Sequence, residues 1–170
     1  MLKFEELALK RRSVRKFTNE PVPEDIILKL LHLGMSGPSA CNRKPWEFYV
    51  VTNGEVLKQL EHASMFTKHK SPLKFVVCGN LSKSLPGSLS DYWIQDCSAA
   101  LTHILLGVTD CGLGACWEGV YPQQRVINRV SKTLNLPKNH IPLGIISIGY
   151  PAEETKARDQ YDEKAVHFVK

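Results

Sequence analysis

Hydrophobic and polar residues along this chain follow two periodicities, one typical of helices and one typical of buried strands. Apolar residues at helical spacing predict helices at residues 2–10, 21–34, 54–65, 91–110 and 122–134. The second is the clearest, because Pro23 suits a first helical position and Gly34 suits a helix end. The predicted helix at residues 91–110 is apolar around most of its circumference, so we expect it to be buried on nearly all sides.

Apolar runs rich in β-branched residues predict the strands, at residues 46–51, 74–80, 115–120 and 141–151. Helices and strands mixed in this order predict an α+β fold, with helices covering a sheet of four or five strands. The 170 residues support one core and are too few for two comfortable domains, so we treat residues 1–170 as a single domain. The polar and charged residues 152–170 differ from the rest, and their composition alone predicts a disordered tail.

Composition and charge narrow the class of protein. Hydrophobic residues make up 43% of the chain and charged residues 23%, as in an ordinary globular protein. The net charge of +5 is spread along the sequence, which does not favour a nucleic-acid surface. No run approaches the ~20 apolar residues that a membrane span needs. The five cysteines show no disulfide spacing, and charges interrupt the apolar residues at the N-terminus, so we expect a cytoplasmic protein without a signal peptide.

Several kinds of active site can be set aside from the sequence. The chain contains no nucleophile elbow and no P-loop, and Trp117 stands where a dinucleotide fingerprint after Gly112 and Gly114 needs its third glycine. The histidines are scattered. Cys97 and Cys111 would lie about 21 Å apart along one helix, too far to share a metal ion. We therefore expect no metal site.

The motif RRSVRKF at residues 11–17 is the strongest candidate for chemistry. Arg11, Arg12, Ser13 and Arg15 place three guanidinium groups and a hydroxyl directly after a predicted helix. Guanidinium groups bind phosphate oxygens in a bidentate manner and stay charged, so the motif suits a phosphate site. A solvated cationic helix end explains the same residues, and the motif alone does not decide between the two.

Four motifs, taken together, resemble the nitroreductase family of FMN-dependent oxidoreductases. They are RRSVRKF (11–17), GPSACNRKPWEF (37–48), GLGACWEGVYP (112–122) and PLGIISIGYP (142–151). They follow one another in the family's order over residues 8–168, and the chain resembles a compact member of the family. The resemblance implies a central mixed or antiparallel sheet flanked by helices, and a homodimer with two FMN sites at its interface.

The resemblance also implies which residues bind FMN: Arg11, Arg12, Ser13, Arg15, Pro38, Ser39, Asn42, Glu118, Gly119, Lys156 and Arg158. Arg11 and Ser13 would face the phosphate and ribityl chain, and Arg15 would lie near the pyrimidine edge of the ring. Glu118 and Gly119 would supply a backbone N–H near flavin N5.

Two groups of these residues depend on the dimer. Pro38, Ser39 and Asn42 would reach the flavin of the other subunit. The tail, residues 152–170, would wrap the partner subunit and bring Lys156 and Arg158 to the phosphate. Residues 67–70 do not match the family's further polar contacts, so we assign them no role.

By this resemblance, a nicotinamide donor, NADH or NADPH, would reduce the flavin, and an acceptor such as a nitroaromatic, quinone or enone would reoxidise it in a ping-pong mechanism. Hydride transfer at flavin N5 needs no dedicated side-chain acid. Two alternatives stay open: a flavin-modifying or reductive dehalogenation activity on the same fold, and a flavin-binding protein that is not an enzyme.

Overall fold

A computed structural model describes residues 3–170. In it, the helices are α1 (Phe4–Lys10), α2 (Glu24–Met35), α3 (Gly54–Glu61), α4 (Tyr92–Asp110) and α5 (Gln124–Leu134). The strands are β1 (Trp46–Val51), β2 (Leu73–Asn80), β3 (Gly114–Gly119) and β4 (His140–Gly149). Every helix and strand predicted from the periodicities is present, with ends that shift by up to four residues. The α+β prediction is therefore confirmed.

The four strands form one antiparallel sheet in the order β1-β2-β4-β3. β2 and β4 lie at its centre, and all eight residues of β2 are buried. A strand buried on both faces reads as a continuous apolar run, which is how residues 74–80 read in the sequence. β1 and β3 are the outer strands, and the outer edge of β3 is where the N-terminal segment joins the sheet.

Helices cover the two faces of the sheet with separate hydrophobic clusters. On the first face, α2 and α4 pack against residues such as Phe75, Ile146 and Ile148. On the second face, α3 and α5 pack against residues such as Val76 and Ile145. Successive side chains of a strand point to opposite faces, so each buried strand contributes to both clusters.

Two helix ends differ from prediction for identifiable reasons. Gly34 lies inside α2, which continues to Met35. Glycine fits at this position because a Cβ there would come within 2.8 Å of Ile104 on α4. This glycine permits close helix packing and does not end the helix. α3 stops at Glu61, and the Thr67 hydroxyl then holds the following turn by accepting the Ser64 N–H at 2.9 Å.

The last segment of the chain lies at the surface of the molecule. Every residue from 154 to 170 is exposed. The one regular element in this segment is a short 3-10 turn at Glu163–Ala165. Within residues 3–170, no helix combines the length and apolar character that crossing a membrane requires.

Candidate active site

The RRSVRKF segment is attached to two strands of the sheet. Ser13 forms a parallel bridge with Ala115 of β3, and the Val14 N–H donates to the Ala115 carbonyl at 2.9 Å. Phe17 then forms an antiparallel bridge with Pro151, just beyond the end of β4. The segment therefore has a fixed extended conformation.

Gly114 is needed for this attachment. A Cβ at Gly114 would lie 2.8 Å from the Cβ of Val14, which is itself buried. Since that distance is shorter than real Cβ contacts, any larger residue at position 114 would push the segment off β3. The second glycine of the GLG motif thus positions the arginines that precede and follow Val14.

The arginines of the motif divide between two sides of the extended segment. Arg12 lines a cavity of about 510 Å³ together with Val14 and the start of the tail. Arg11, Ser13 and Arg15 do not line that cavity. Because side chains alternate in an extended segment, these three share the opposite side. The three residues assigned to the phosphate, ribityl chain and ring are thus grouped, and Arg12 is apart from them.

The start of the tail is fixed against the same segment. The Glu153 carboxylate accepts the backbone N–H of Arg15 at 2.8 Å and that of Lys16 at 3.3 Å. These two hydrogen bonds hold the pKa of Glu153 below its usual value, and the bond from the Arg15 N–H has the larger effect. Further on, the Arg158 N–H donates to the Leu9 carbonyl at 3.3 Å, two residues before Arg11. The backbone of Arg158 therefore lies beside the end of α1, close in the chain to Arg11.

The loop that contains Pro38, Ser39 and Asn42 lies elsewhere, beside the N-terminal part of α4. The buried Asp96 on α4 accepts the Ala40 N–H at 2.8 Å, and the Ser39 hydroxyl accepts the Lys44 N–H at 3.0 Å. These bonds stabilise a loop in which Cys41, Asn42 and Lys44 all have positive φ angles.

The two groups of predicted flavin residues lie at opposite ends of α4. Asp96 contacts the loop, whereas Thr109 lines the cavity beside Arg12. Thirteen residues of helix separate them, or about 20 Å at 1.5 Å per residue. Pro38, Ser39 and Asn42 are consequently not brought to the arginines of their own protomer.

The outer edge of β3 is open beyond Ala115. Because the backbone of Ala115 faces outward to Val14, strand alternation directs the backbone N–H groups of Trp117 and Gly119 outward as well. Gly119 is exposed, and a Cβ there would meet no atom within 4 Å. The Trp117 ring packs on Gly144 and remains 39% exposed. This edge offers backbone donors to a planar group laid beside it.

The Glu118 side chain points to the second face of the sheet, into a buried polar cluster with Lys74, Ser147 and His69. Its Oε2 lies 3.2 Å from Lys74 Nζ, and its Oε1 accepts from the Ser147 hydroxyl at 2.9 Å and pairs with His69 Nδ1 at 2.8 Å. Lys74 Nζ also donates to the Ser147 hydroxyl and to the His69 carbonyl. Within residues 3–170, no buried side-chain polar atom lacks a partner.

Burial and pairing act on Lys74 in opposite directions. Loss of water, the larger effect, lowers the pKa of Lys74 below its usual value, and the Glu118 carboxylate raises it again. The Lys74 and Glu118 side chains are both fully buried. An isolated charge could not be held there, so each of the two residues requires the other.

Sequence reasoning did not find this cluster. Residues 67–70 match none of the four motifs, and the six histidines are scattered along the sequence. A signal was present, because Lys74 and Ser147 are the polar residues inside two otherwise apolar strands. A buried lysine predicts a buried partner, but the sequence does not say that the partner is Glu118.

Comparison with known proteins supports the interpretation of the motifs. The nitroreductase family model matches residues 8–77 and 86–150, which is most of the chain. The chain belongs to the nitroreductase family. Among curated relatives of this family, a Methanothermobacter thermautotrophicus protein with the provisional name NADH dehydrogenase/NAD(P)H nitroreductase is 38% identical over 163 residues, covering 94% of this chain and 83% of that protein.

Solved structures of the nitroreductase family have the same fold. A Parabacteroides distasonis protein with the same provisional name superposes with a TM-score of 0.91 at 37% identity, covering 96% of both chains. An FMN-dependent nitroreductase from Clostridium difficile gives a TM-score of 0.89 at 31% identity, covering 98% of this chain and 99% of that one. More distant relatives include an iodotyrosine deiodinase from Haliscomenobacter hydrossis, 24% identical over 191 residues.

Proposed function

We propose that this chain transfers electrons from NADH or NADPH to a nitroaromatic, quinone or enone in two half-reactions at one flavin site. It is an NAD(P)H-dependent oxidoreductase of the nitroreductase family, and FMN is its cofactor. The observation that carries the proposal is the open edge of β3, which lies beside the segment that presents Arg11, Ser13 and Arg15.

The residues present fit FMN. Arg11 and Ser13 would hold the phosphate and ribityl chain, and Lys156 would close on the phosphate from the tail. The ring would lie along the open edge, where an outward N–H such as that of Gly119 can donate to N5. When bound, FMN supplies two-electron hydride chemistry, and the protein supplies orientation and charge. Arg15 would stabilise the reduced ring, whose negative charge a neighbouring guanidinium offsets.

The positions of the proposed site residues support a homodimer. Pro38, Ser39 and Asn42 lie about 20 Å along α4 from the arginines of their own protomer. A second protomer, with α4 running the other way, would bring its loop to the arginines of the first. Asp96 would then act on the neighbouring flavin by holding its own loop in shape.

The second candidate activity is reductive dehalogenation, for which the resemblance to iodotyrosine deiodinases is the supporting observation. A flavin-binding protein without turnover would be slowly reoxidised by every acceptor.

Initial-rate kinetics test the proposal. If donor and acceptor occupy the same face of the flavin, they cannot bind together, and double-reciprocal plots at several quinone concentrations should be parallel. Intersecting lines would mean a ternary complex and would refute the shared site. An iodinated phenol included in the acceptor screen tests the dehalogenation activity, which requires release of iodide. Failure of all acceptors to exceed slow reoxidation would favour the binding protein.

A further inference from the structure

His69 is the one member of the buried cluster that reaches solvent. Its Nδ1 lies 2.8 Å from Glu118 Oε1, and its side chain keeps 17% of its surface exposed. Lys74 Nζ holds the His69 backbone by donating to its carbonyl at 2.9 Å. Both the imidazole ring and the backbone of His69 are therefore fixed by groups on the sheet.

The hydrogen bonds of the cluster determine where the His69 proton lies. Glu118 already accepts hydrogen bonds from Lys74 and Ser147, as an ionised carboxylate does. A carboxylate only accepts, so His69 Nδ1 must donate to it. Nε2, on the far side of the ring, forms no hydrogen bond with any of residues 3–170. A histidine oriented by a carboxylate, with its second nitrogen free, is the usual arrangement of an acid or base catalyst.

This imidazole is close to the proposed flavin site. Glu118 belongs to the outer strand β3, and its neighbour Gly119 presents the exposed backbone edge. The contact with Glu118 therefore places His69 within one side chain of that edge. Lys68 and Lys70 on either side of it are exposed, so solvent can return a proton to the ring.

We propose that His69 is the proton donor of the acceptor half-reaction, with Glu118 as its positioning residue and Lys74 and Ser147 holding Glu118. This inference rests on the proposed function. A quinone takes one hydride from the reduced cofactor and one proton from His69 Nε2, and becomes a hydroquinone. The hydride that bound FMN would supply carries both electrons, and the neutral imidazole left at His69 takes a proton back from water.

The Lys74–Glu118 pair suits this role electrostatically. A single carboxylate buried behind the imidazole would be too costly to keep ionised, and Lys74 balances it. The carboxylate then holds the imidazole ring in one orientation through its contact with Nδ1. Glu61, at the end of α3, is a further carboxylate that acts on Lys74.

His69→Asn separates the proposed role from a structural one. The asparagine amide can donate to Glu118 from the place of Nδ1, but it has no nitrogen that can release a proton to an acceptor. In stopped-flow experiments on the FMN-loaded protein, we expect reoxidation by p-benzoquinone to slow by about 10²–10⁴-fold. A solvent isotope effect seen in the wild type should change in the variant. His62→Asn, at an exposed histidine after α3, is the matched control and should reoxidise at the wild-type rate.

A second readout does not depend on the cofactor. In the apo-protein, nitrogen NMR should find the neutral His69 ring protonated on Nδ1, and Glu118→Gln should shift the proton toward Nε2. His69→Gln is a second substitution to use should the Asn variant not fold. Wild-type reoxidation in either folded variant, or a ring protonated on Nε2 in the wild type, would overturn the inference. Absence of quinone turnover in the wild type itself would instead refute the proposed function.

Discussion

Removing one charge of the Lys74–Glu118 pair should destabilise the protein far more than removing both. Lys74→Met keeps the length of the side chain and leaves Glu118 ionised, fully buried and without its cation. At 3.2 Å the attraction between the two charges is about 5 kcal/mol for an effective dielectric constant of about 20. Loss of one partner from such a pair typically costs about 3–5 kcal/mol, and we expect that cost here.

The double substitution Lys74→Met, Glu118→Leu removes the unpaired charge. It leaves the Ser147 hydroxyl without its two partners, which costs about 1–3 kcal/mol. Adding Ser147→Ala should recover most of that loss. The summed costs of the single substitutions Lys74→Met and Glu118→Leu should therefore exceed the cost of the double substitution by at least about 2 kcal/mol. A difference of that size means that the two side chains are strongly coupled.

Urea unfolding of the apo-proteins, followed by circular dichroism, measures these free energies. Lys83→Met is the matched control. Lys83 pairs with Glu47 at 2.6 Å, but these side chains are 50% and 30% exposed, so removal of the lysine should cost only about 0–1 kcal/mol. A cost below 1 kcal/mol for Lys74→Met, or additive single costs, would show that the buried pair is not formed as described.

Four further predictions concern the site and the core. Arg11→Ala should weaken FMN binding by about 1.5–3 kcal/mol in a flavin titration. Arg15→Ala should instead mainly lower the reduction potential of the flavin. Unchanged FMN affinity and reduction potential in both variants would refute the assignment of the motif. Ending the chain after Pro151 should loosen the proposed dimer in sedimentation and weaken FMN binding, because it removes the exposed apolar residues of the tail together with Lys156 and Arg158; a truncated dimer with full affinity would show that the tail is dispensable. A thiol reagent should label exposed Cys41 in the native protein and leave buried Cys97 unlabelled until unfolding. Burial raises the pKa of Cys97 from 9.0 to about 12, so the unfolded chain ionises first and stability should fall as pH rises from about 9 to 12.

The sequence predicted the fold well because most elements have strong local signals. Residues 46–51 and 74–80 read as strands and are strands, since buried strands are continuous apolar runs. α3 was predicted four residues too long, because a side-chain bond from Thr67 shapes the turn after it. Gly34 was misread as a helix end, since a glycine at a helix–helix contact has no local mark that distinguishes it.

The site was less predictable, because its contacts join parts of the chain that are distant in sequence. One motif is enough to propose Arg11, Ser13 and Arg15 as site residues, whereas their separation from Arg12 follows from the bridge to β3. The His69–Glu118 contact spans 49 residues and follows from no local pattern. The proposed roles of the loop at residues 38–42 would depend on a second protomer, which no periodicity within one chain can reveal.

Identification of the bound cofactor decides whether this chain works as a flavoprotein. The purified protein should be yellow, denaturation should release FMN in a ratio of about one per chain, and NADH or NADPH should bleach the flavin without an added mediator. FMN is expected in place of FAD, because arginine and serine groups close around a terminal phosphate. A colourless protein that cannot be reconstituted with FMN, or one that releases FAD, would refute the assignment of the cofactor.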